Sequence, residues 1–251
     1  DEANESLDTY FHLSRVIPIS PSDFFERMIE LSRPRTSSYQ KKWLLQKEKT
    51  ETNHQQFLNK LPYSDLSVFD LLISSLPKNS DVHFANSTPV RYSQLFEMDS
   101  SLTIDSNRGT SGIDGSISTA VGAAWLSDKI TTVISGDLSF FYDSNALWNK
   151  YISPNLRIII INNNGGGIFR FIEGPSKLPE LEEFFETKHH SKAESLALEA
   201  GISHQSADSI EGLKKELDTF FEDNSKAKLL EIFTPNELNA VVLKDYFKSM
   251  A

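Results

Sequence analysis

Two short runs in this sequence combine oxygen ligands with a yielding backbone: Gly136-Asp137-Leu138-Ser139 and Asn162-Asn163-Asn164-Gly165-Gly166-Gly167. A carboxylate from Asp137, an amide oxygen from Asn163 and the main-chain carbonyl of Gly165 are hard donors of the kind magnesium or calcium takes. Magnesium usually completes its octahedron with phosphate oxygens and water, so the set points to a metal-bridged phosphate ligand. The three glycines would let the backbone approach that ligand closely. The amides of Leu138 and Ser139, following Gly136 into a helix, would offer a phosphate the positive end of the helix dipole. Either run alone reads as ordinary structure, a helix cap or a turn. The pairing of the two is what suggests chemistry.

The elements that must position them follow from the spacing. Between positions 137 and 163 there is room for a helix of about 12 residues and one further buried strand, a single βαβ step. Both runs would then sit at the carboxyl ends of neighbouring parallel strands, where open α/β sheets bind their ligands. The runs Arg157-Ile-Ile-Ile-Ile161 and Ala227-Lys-Leu-Leu-Glu-Ile-Phe233 are too apolar for a half-wetted sheet and require cover on both faces. The predicted architecture is α/β, an open, mostly parallel sheet with helices on both faces. Strands are expected at 82–85, 102–105, 131–135, 156–162, 202–204 and 228–233. Helices are expected at 65–76, 89–95, 116–126, 139–150, 209–221 and 236–247, with two more near Leu181 and Ala193. Residues 1–50 read differently, as the tail of a preceding domain: an extended stretch from Tyr10 to Pro18, a helix from Pro21 to Leu31, and a linker from Ser32 to Lys49 rich in Ser, Arg and Lys. Residues 51–251 form the principal domain.

Composition narrows the function classes. The 251 residues are 39% hydrophobic and 24% charged, with a net charge of -10 and no cysteine. Disulfides, thiolate metal sites and cysteine nucleophiles are therefore excluded, and the chemistry must use oxygen, nitrogen or a cofactor. No clustered excess of Lys and Arg is present to neutralise nucleic-acid phosphates. No apolar run approaches the roughly 18–20 residues of a bilayer helix, and the acidic start lacks the order of a secretory signal, which fits a cytoplasmic protein. Other tempting residues read as structural. His189 and His190 are adjacent, point apart, and are expected to be exposed polar residues. Glu180 to Glu186 and Lys214-Lys215-Glu216 read as solvated helix faces, and Trp125 and Trp148 as core or interface. No Gly-x-Ser-x-Gly elbow, Walker loop or His-Glu-x-x-His motif occurs.

Gly136-Asp137, followed after an apolar strand by Asn162-Asn163, resembles the metal-diphosphate fingerprint of thiamin-diphosphate enzymes. Three longer stretches, Ser106-Asn-Arg-Gly-Thr-Ser-Gly-Ile-Asp-Gly115, Gly136-Asp-Leu-Ser-Phe-Phe-Tyr-Asp-Ser-Asn145 and Asn162-Asn-Asn-Gly-Gly-Gly-Ile-Phe169, narrow the likeness. They resemble the carboxy-terminal part of the menaquinone-pathway family that makes 2-succinyl-5-enolpyruvyl-6-hydroxy-3-cyclohexene-1-carboxylate. Asn86-Ser-Thr-Pro-Val-Arg91 resembles that family's arginine-bearing motif, and the likeness covers about residues 50–251. It implies that Asp137, Asn163 and the Gly165 carbonyl hold Mg2+, and that Gly136, Leu138 and Ser139 lie by the diphosphate of thiamin diphosphate. It also implies that Ile113 supports the bent cofactor and that Ile168 and Phe169 wall the reacting carbon. Ser87, Arg91 and Arg108 would bind the carboxylates of 2-oxoglutarate and isochorismate, for which a guanidinium fork is suited.

By this resemblance the complete protein is a decarboxylating transferase, which takes the succinyl semialdehyde unit from 2-oxoglutarate and adds it to isochorismate. The activating glutamate is expected on a pyrimidine-binding domain supplied by a second subunit, making the complete protein a homodimer or homotetramer. No catalytic residue is assigned within these residues, and they are expected to be inactive alone. Two rival readings stand beside this one. One is another thiamin-diphosphate reaction, such as that of a 2-oxo-acid decarboxylase or an acetohydroxyacid synthase-like enzyme. The other is a non-catalytic scaffold of the same fold.

Overall fold

The computed structural model describes residues 6–222 and 225–250. The chain divides into two compact units, the first ending at Lys49 and the second starting at Thr50.

In the first unit, helix α1 (Pro21–Leu31) begins where Ser20 accepts the Asp23 amide at 3.1 Å and proline takes the first helical turn, a favourable N-terminus because proline lacks only an amide that would be orphaned there. The expected linker is largely helical instead: α2 runs from Tyr39 to Leu58. Its Lys, Gln, Glu and Leu content favours helix residue by residue, while its weak amphipathic pattern hides it from periodicity.

The second unit is built on six parallel strands: β1 (Asp81–Phe84), β2 (Thr103–Asp105), β3 (Thr131–Gly136), β4 (Leu156–Asn162), β5 (Ser203–Ala207) and β6 (Lys228–Phe233). They lie in the order β2-β1-β3-β4-β6-β5. Helices α3 (Asp65–Ser75), α4 (Thr88–Ser93), α5 (Ser116–Leu126), α6 (Asp137–Tyr142), α7 (Ile168–Phe171), α8 (Glu194–Glu199), α9 (Ile210–Phe220) and α10 (Asn236–Met250) complete it. Alternation along β4 shows why the sheet must be covered twice. Ile159 and Ile161 enter one core with Leu66, Phe69 and Leu213 of α3 and α9. Ile158 and Ile160 enter the other with Ile117, Phe140 and Ala197 of α5, α6 and α8, as successive side chains of a strand point to opposite faces. Each fully buried leucine or isoleucine contributes about 1.5–3 kcal/mol.

Arg157, also wholly buried, donates from Nε to the Phe220 carbonyl at 2.9 Å and from a terminal nitrogen to the Pro154 carbonyl at 2.9 Å. It ties the end of α9 to the start of β4.

Several expectations shift. The helix expected over 139–150 stops at Tyr142, because the Asp143 carboxylate turns to accept the Ser118 amide at 2.7 Å and a short 3-10 turn, Ser144–Leu147, follows. The segment near Leu181 is a single π turn, Leu181–Phe185. Strand β5 extends to Ala207. Trp125 and Trp148 are 55% and 82% exposed, so neither belongs to the core.

Candidate functional site

The chain leaves β1 for the edge strand β2, then returns to the other side of β1 with β3, placing a topological switch between β1 and β3. Such a switch opens a crevice at the carboxyl ends of the strands. The segments after β1, β3 and β4 line one pocket of about 140 Å3 there. It gathers every candidate residue except the two arginines: Ser87 after β1, Ile113 before α5, Gly136 to Ser139 after β3, Asn163 and Gly165 after β4, then Ile168 and Phe169 of α7.

Asp137 is 2% exposed and both its oxygens are oriented. Oδ1 accepts the Leu138 amide at 2.7 Å and Oδ2 accepts the Gly165 amide at 2.9 Å. The Leu138 amide, expected to face a phosphate, thus serves the carboxylate instead. Asn163 is 5% exposed; its Nδ2 donates to Asp65 Oδ2 at 3.3 Å, while its Oδ1 is buried without a hydrogen-bonding partner among the described residues. A buried amide oxygen left bare is costly, and Asn163 lines the same pocket as Asp137, which suits a hard cation. The donor set fits magnesium: one carboxylate and one amide oxygen, leaving room for phosphate and water. The Gly165 carbonyl accepts the Gly167 amide at 3.0 Å in a tight turn, a bond compatible with a second lone pair facing outward.

Glycine is required at 165. Its φ is +149°, and a Cβ there would stand 2.6 Å from the Glu186 carbonyl oxygen. Ser87 also adopts a positive φ, +73°, with ψ -130°, a backbone state that stores roughly 1–3 kcal/mol and clusters at functional sites. The Ser139 hydroxyl donates to the Ile113 carbonyl at 2.7 Å, fixing the segment before α5 against the one after β3.

The arginines stand outside this pocket. Arg91, exposed on α4, donates to the Ser87 carbonyl at 2.7 Å and fronts a neighbouring apolar cavity of about 340 Å3 between α4, α7 and α10. Thr88, Gly167 and Ile168 separate the two spaces and line both. Arg108 is exposed and donates to Asn86 Oδ1 at 3.2 Å. Asn86, 1% exposed, in turn donates to the carbonyls of Asn107 and Gly112, both at 2.6 Å, holding the loop that carries Arg108.

Two expectations are overturned by the segment before α8. Glu186, expected on a solvated face, is fully buried and pairs with Arg170, its Oε1 2.6 Å from the guanidinium Nε. Its carbonyl accepts the Gly166 amide at 2.7 Å, clamping the glycine run. His189, expected to be exposed, sits with Nε2 3.2 Å from Asp137 Oδ2, and only His190 is exposed. The Ser191 amide donates to His189 Nδ1 at 3.1 Å, which puts the proton of the neutral ring on Nε2, toward Asp137. The polar contact with Asp137 raises the His189 pKa against the effect of burial. Asp65, Asn86, Glu186 and His189 are the site residues that motif reasoning missed. The first two had a signal of sorts: a short polar side chain at a helix start or strand end.

Fold and site together define a thiamin-diphosphate-binding α/β domain. Solved structures share the fold: benzoylformate decarboxylase from Polynucleobacter necessarius, with a TM-score of 0.59, 15% identity and coverage of 71% of this chain and 34% of that one; and a putative thiamin diphosphate-dependent enzyme from Mycobacterium smegmatis, with a TM-score of 0.51, 20% identity and coverage of 69% and 32%. The chain belongs to the family described as thiamine pyrophosphate enzyme, C-terminal TPP binding domain, whose model matches residues 87–232. The narrower resemblance also holds. The chain is 50% identical over 204 residues to the 2-succinyl-5-enolpyruvyl-6-hydroxy-3-cyclohexene-1-carboxylate synthase of Christiangramia forsetii, covering 81% of this chain and 35% of that protein. To the synthase of the same name from Flavobacterium johnsoniae it is 45% identical over 245 residues, covering 98% of this chain and 44% of the relative. It thus spans less than half the length of these curated relatives.

Proposed function

We propose that this chain is the diphosphate- and magnesium-binding part of a 2-succinyl-5-enolpyruvyl-6-hydroxy-3-cyclohexene-1-carboxylate synthase, a cytoplasmic decarboxylating transferase acting on 2-oxoglutarate and isochorismate. The observation that carries the cofactor role is the bare, buried Oδ1 of Asn163, a residue that lines with Asp137 a pocket built at the switch point. The choice of reaction rests on the relatives' identity across almost the whole chain.

Thiamin diphosphate, when bound, supplies the carbon nucleophile that decarboxylation of a 2-oxo acid requires. The residues here hold, orient and screen. Asp137 and Asn163, with the Gly165 carbonyl, would hold Mg2+ against the diphosphate. Ile113, packed on the Ser139 side of the pocket, would support the cofactor rings, and Ile168 and Phe169 would keep water from the reacting carbon. Arg91 and Arg108, with Ser87, would receive the carboxylates. Their place outside the diphosphate pocket but at the same end of the sheet supports substrate binding and argues against a small monoanionic substrate. Residues 1–50 would be the end of a preceding domain, and a pyrimidine-binding domain from a second subunit would complete the site in a dimer or tetramer.

Calorimetric titration of thiamin diphosphate and Mg2+ into the complete protein tests the cofactor role. Binding should require Mg2+ and weaken at least tenfold in Asp137→Ala, since a buried ligand charge is lost; unchanged binding in that variant refutes the metal assignment. Replacing Arg91 or Arg108 by alanine should raise the KM for a carboxylate substrate at least tenfold, matching the typical 1.5–3 kcal/mol of a charged hydrogen bond. Unaltered KM values in both variants would favour a different thiamin-diphosphate reaction.

A further inference from the structure

An asparagine can hold a cation only through its oxygen, yet its amide nitrogen occupies almost the same volume and would repel the cation if turned inward. We propose that Asp65 is the positioning residue that turns the Asn163 side chain so that its oxygen, and not its nitrogen, faces the metal-diphosphate pocket.

The geometry is specific. Asp65 opens α3, 98 residues before Asn163 in the chain, and its Oδ2 accepts from Asn163 Nδ2 at 3.3 Å. A carboxylate at that distance can only accept, so it selects the amide nitrogen and leaves Oδ1 pointing away. That Oδ1 is buried and unpartnered among the described residues, and Asn163 lines the pocket with Asp137. Asp65 is itself held from two sides. Thr234 Oγ1 donates to Oδ1 at 2.6 Å, and Asn239 Oδ1 accepts the Asp65 amide at 2.8 Å. The Thr234 amide donates to the Asn162 carbonyl at 3.1 Å, so the clamp is anchored on the strand end that carries Asn163. Asp65 is 2% exposed and does not line the metal pocket. A buried carboxylate with no ligand of its own, aimed at the one amide whose orientation matters, is an outer-shell residue of the kind that tunes a metal site. Neighbouring Asn162 shows the alternation of the strand: its Nδ2 donates to buried Glu231 at 2.8 Å on the other face.

The inference rests on Asn163 being a magnesium ligand, and the test separates the two claims. The apparent Kd for Mg2+ is measured by calorimetry on the complete protein at saturating thiamin diphosphate, for Asn163→Ala, Asp65→Asn and the double variant. An amide at position 65 can present either its oxygen or its nitrogen to Asn163, so the preference is lost while shape is kept. Asp65→Asn should weaken Mg2+ binding by about tenfold, the scale of outer-shell losses, and should add less than twofold in the Asn163→Ala background. Unchanged Mg2+ affinity in Asp65→Asn, or losses that multiply in the double variant, overturns the proposal. Unchanged affinity in Asn163→Ala overturns instead the metal-ligand reading on which it rests.

Should Asp65→Asn fail to fold, the exchanged pair Asp65→Asn with Asn163→Asp decides the matter. It restores one donor facing one acceptor and should bind Mg2+ within about threefold of the unaltered protein, whereas Asn163→Asp alone sets two carboxylates against each other and should bind at least tenfold more weakly. An exchanged pair as weak as Asn163→Asp rules the positioning role out.

Discussion

Glycines 136 and 165 look alike in the sequence and differ in what they do. Gly136 has φ -78°, and an added Cβ would meet nothing within 4 Å. Gly165 has φ +149° and would drive its Cβ to 2.6 Å from the Glu186 carbonyl. Gly136→Ala should therefore fold within about 0.5 kcal/mol of the unaltered protein. Gly165→Ala should lose more than about 2 kcal/mol in urea unfolding, combining backbone strain with displacement of a buried strap. Equal losses in the two would refute this account of the glycine run. The ligand candidates Asp137, Asn163 and Gly165 were legible because oxygen donors and glycines after apolar strands form a local pattern. The groups that orient them were not. Asp65 reaches Asn163 across 98 positions and His189 reaches Asp137 from a loop, so neither belongs to any run. The reading of His189 failed on an assumption of regular structure: it lies in a loop, where the rule that neighbours point apart says nothing about which one turns inward.

Elements were legible where burial and periodicity agree, and blurred where a side chain intervenes. Strand β4, apolar on both faces, was placed to the residue, while α6 ended early because Asp143 caps α5 instead of continuing a helix. Strand β1 shows how polar groups set the sheet's outer end. Asp81 begins it and receives hydrogen bonds from Ser127 Oγ at 2.9 Å and Lys129 Nζ at 3.4 Å, joining β1 to the turn before β3. Burial alone would raise its pKa, but the hydrogen bonds from Ser127, Thr103 and Lys129, with the lysine charge, outweigh it and hold the carboxyl below 3.8. A carboxyl with a depressed folded pKa stabilises the fold above its unfolded value, near pH 3.9, and loses that contribution as pH falls through its folded value. Asp81→Asn should therefore cost about 1 kcal/mol at pH 7, and the gap should close in the acid range below pH 3.9. Thermal unfolding of both proteins across that range checks the sign; a gap that widens in acid would contradict it.

At the scale of the whole molecule, the site is well supplied with groups that hold and poorly supplied with groups that move protons. Asp137 is the only ionisable side chain lining the diphosphate pocket among the described residues, and it is engaged by the Leu138 and Gly165 amides and by His189. Among the described residues no glutamate or histidine lines that pocket, and His189 reaches it only through Asp137. The neighbouring cavity adds Arg91 and Asp65, the latter already engaged by Thr234 and Asn163. Burial lifts the Asp65 pKa to about 6 despite these hydrogen bonds, yet Asp65 does not line the diphosphate pocket. Under the proposed function the remaining proton chemistry would come from the pyrimidine-binding domain of a second subunit, and residues 1–251 span 35–44% of the synthases they resemble. Residues 1–251 supplied with thiamin diphosphate, Mg2+, 2-oxoglutarate and isochorismate should thus release no carbon dioxide above background, while the complete protein should turn over under the same conditions. Exchange of the thiazolium C2 proton for deuterium, followed by NMR, locates the defect: the complete protein should accelerate it, and residues 1–251 should leave it at the rate of free cofactor even when calorimetry shows the cofactor bound. Accelerated exchange by residues 1–251 would mean that an activating group lies within them, and the assignment of that role to a partner domain would fall.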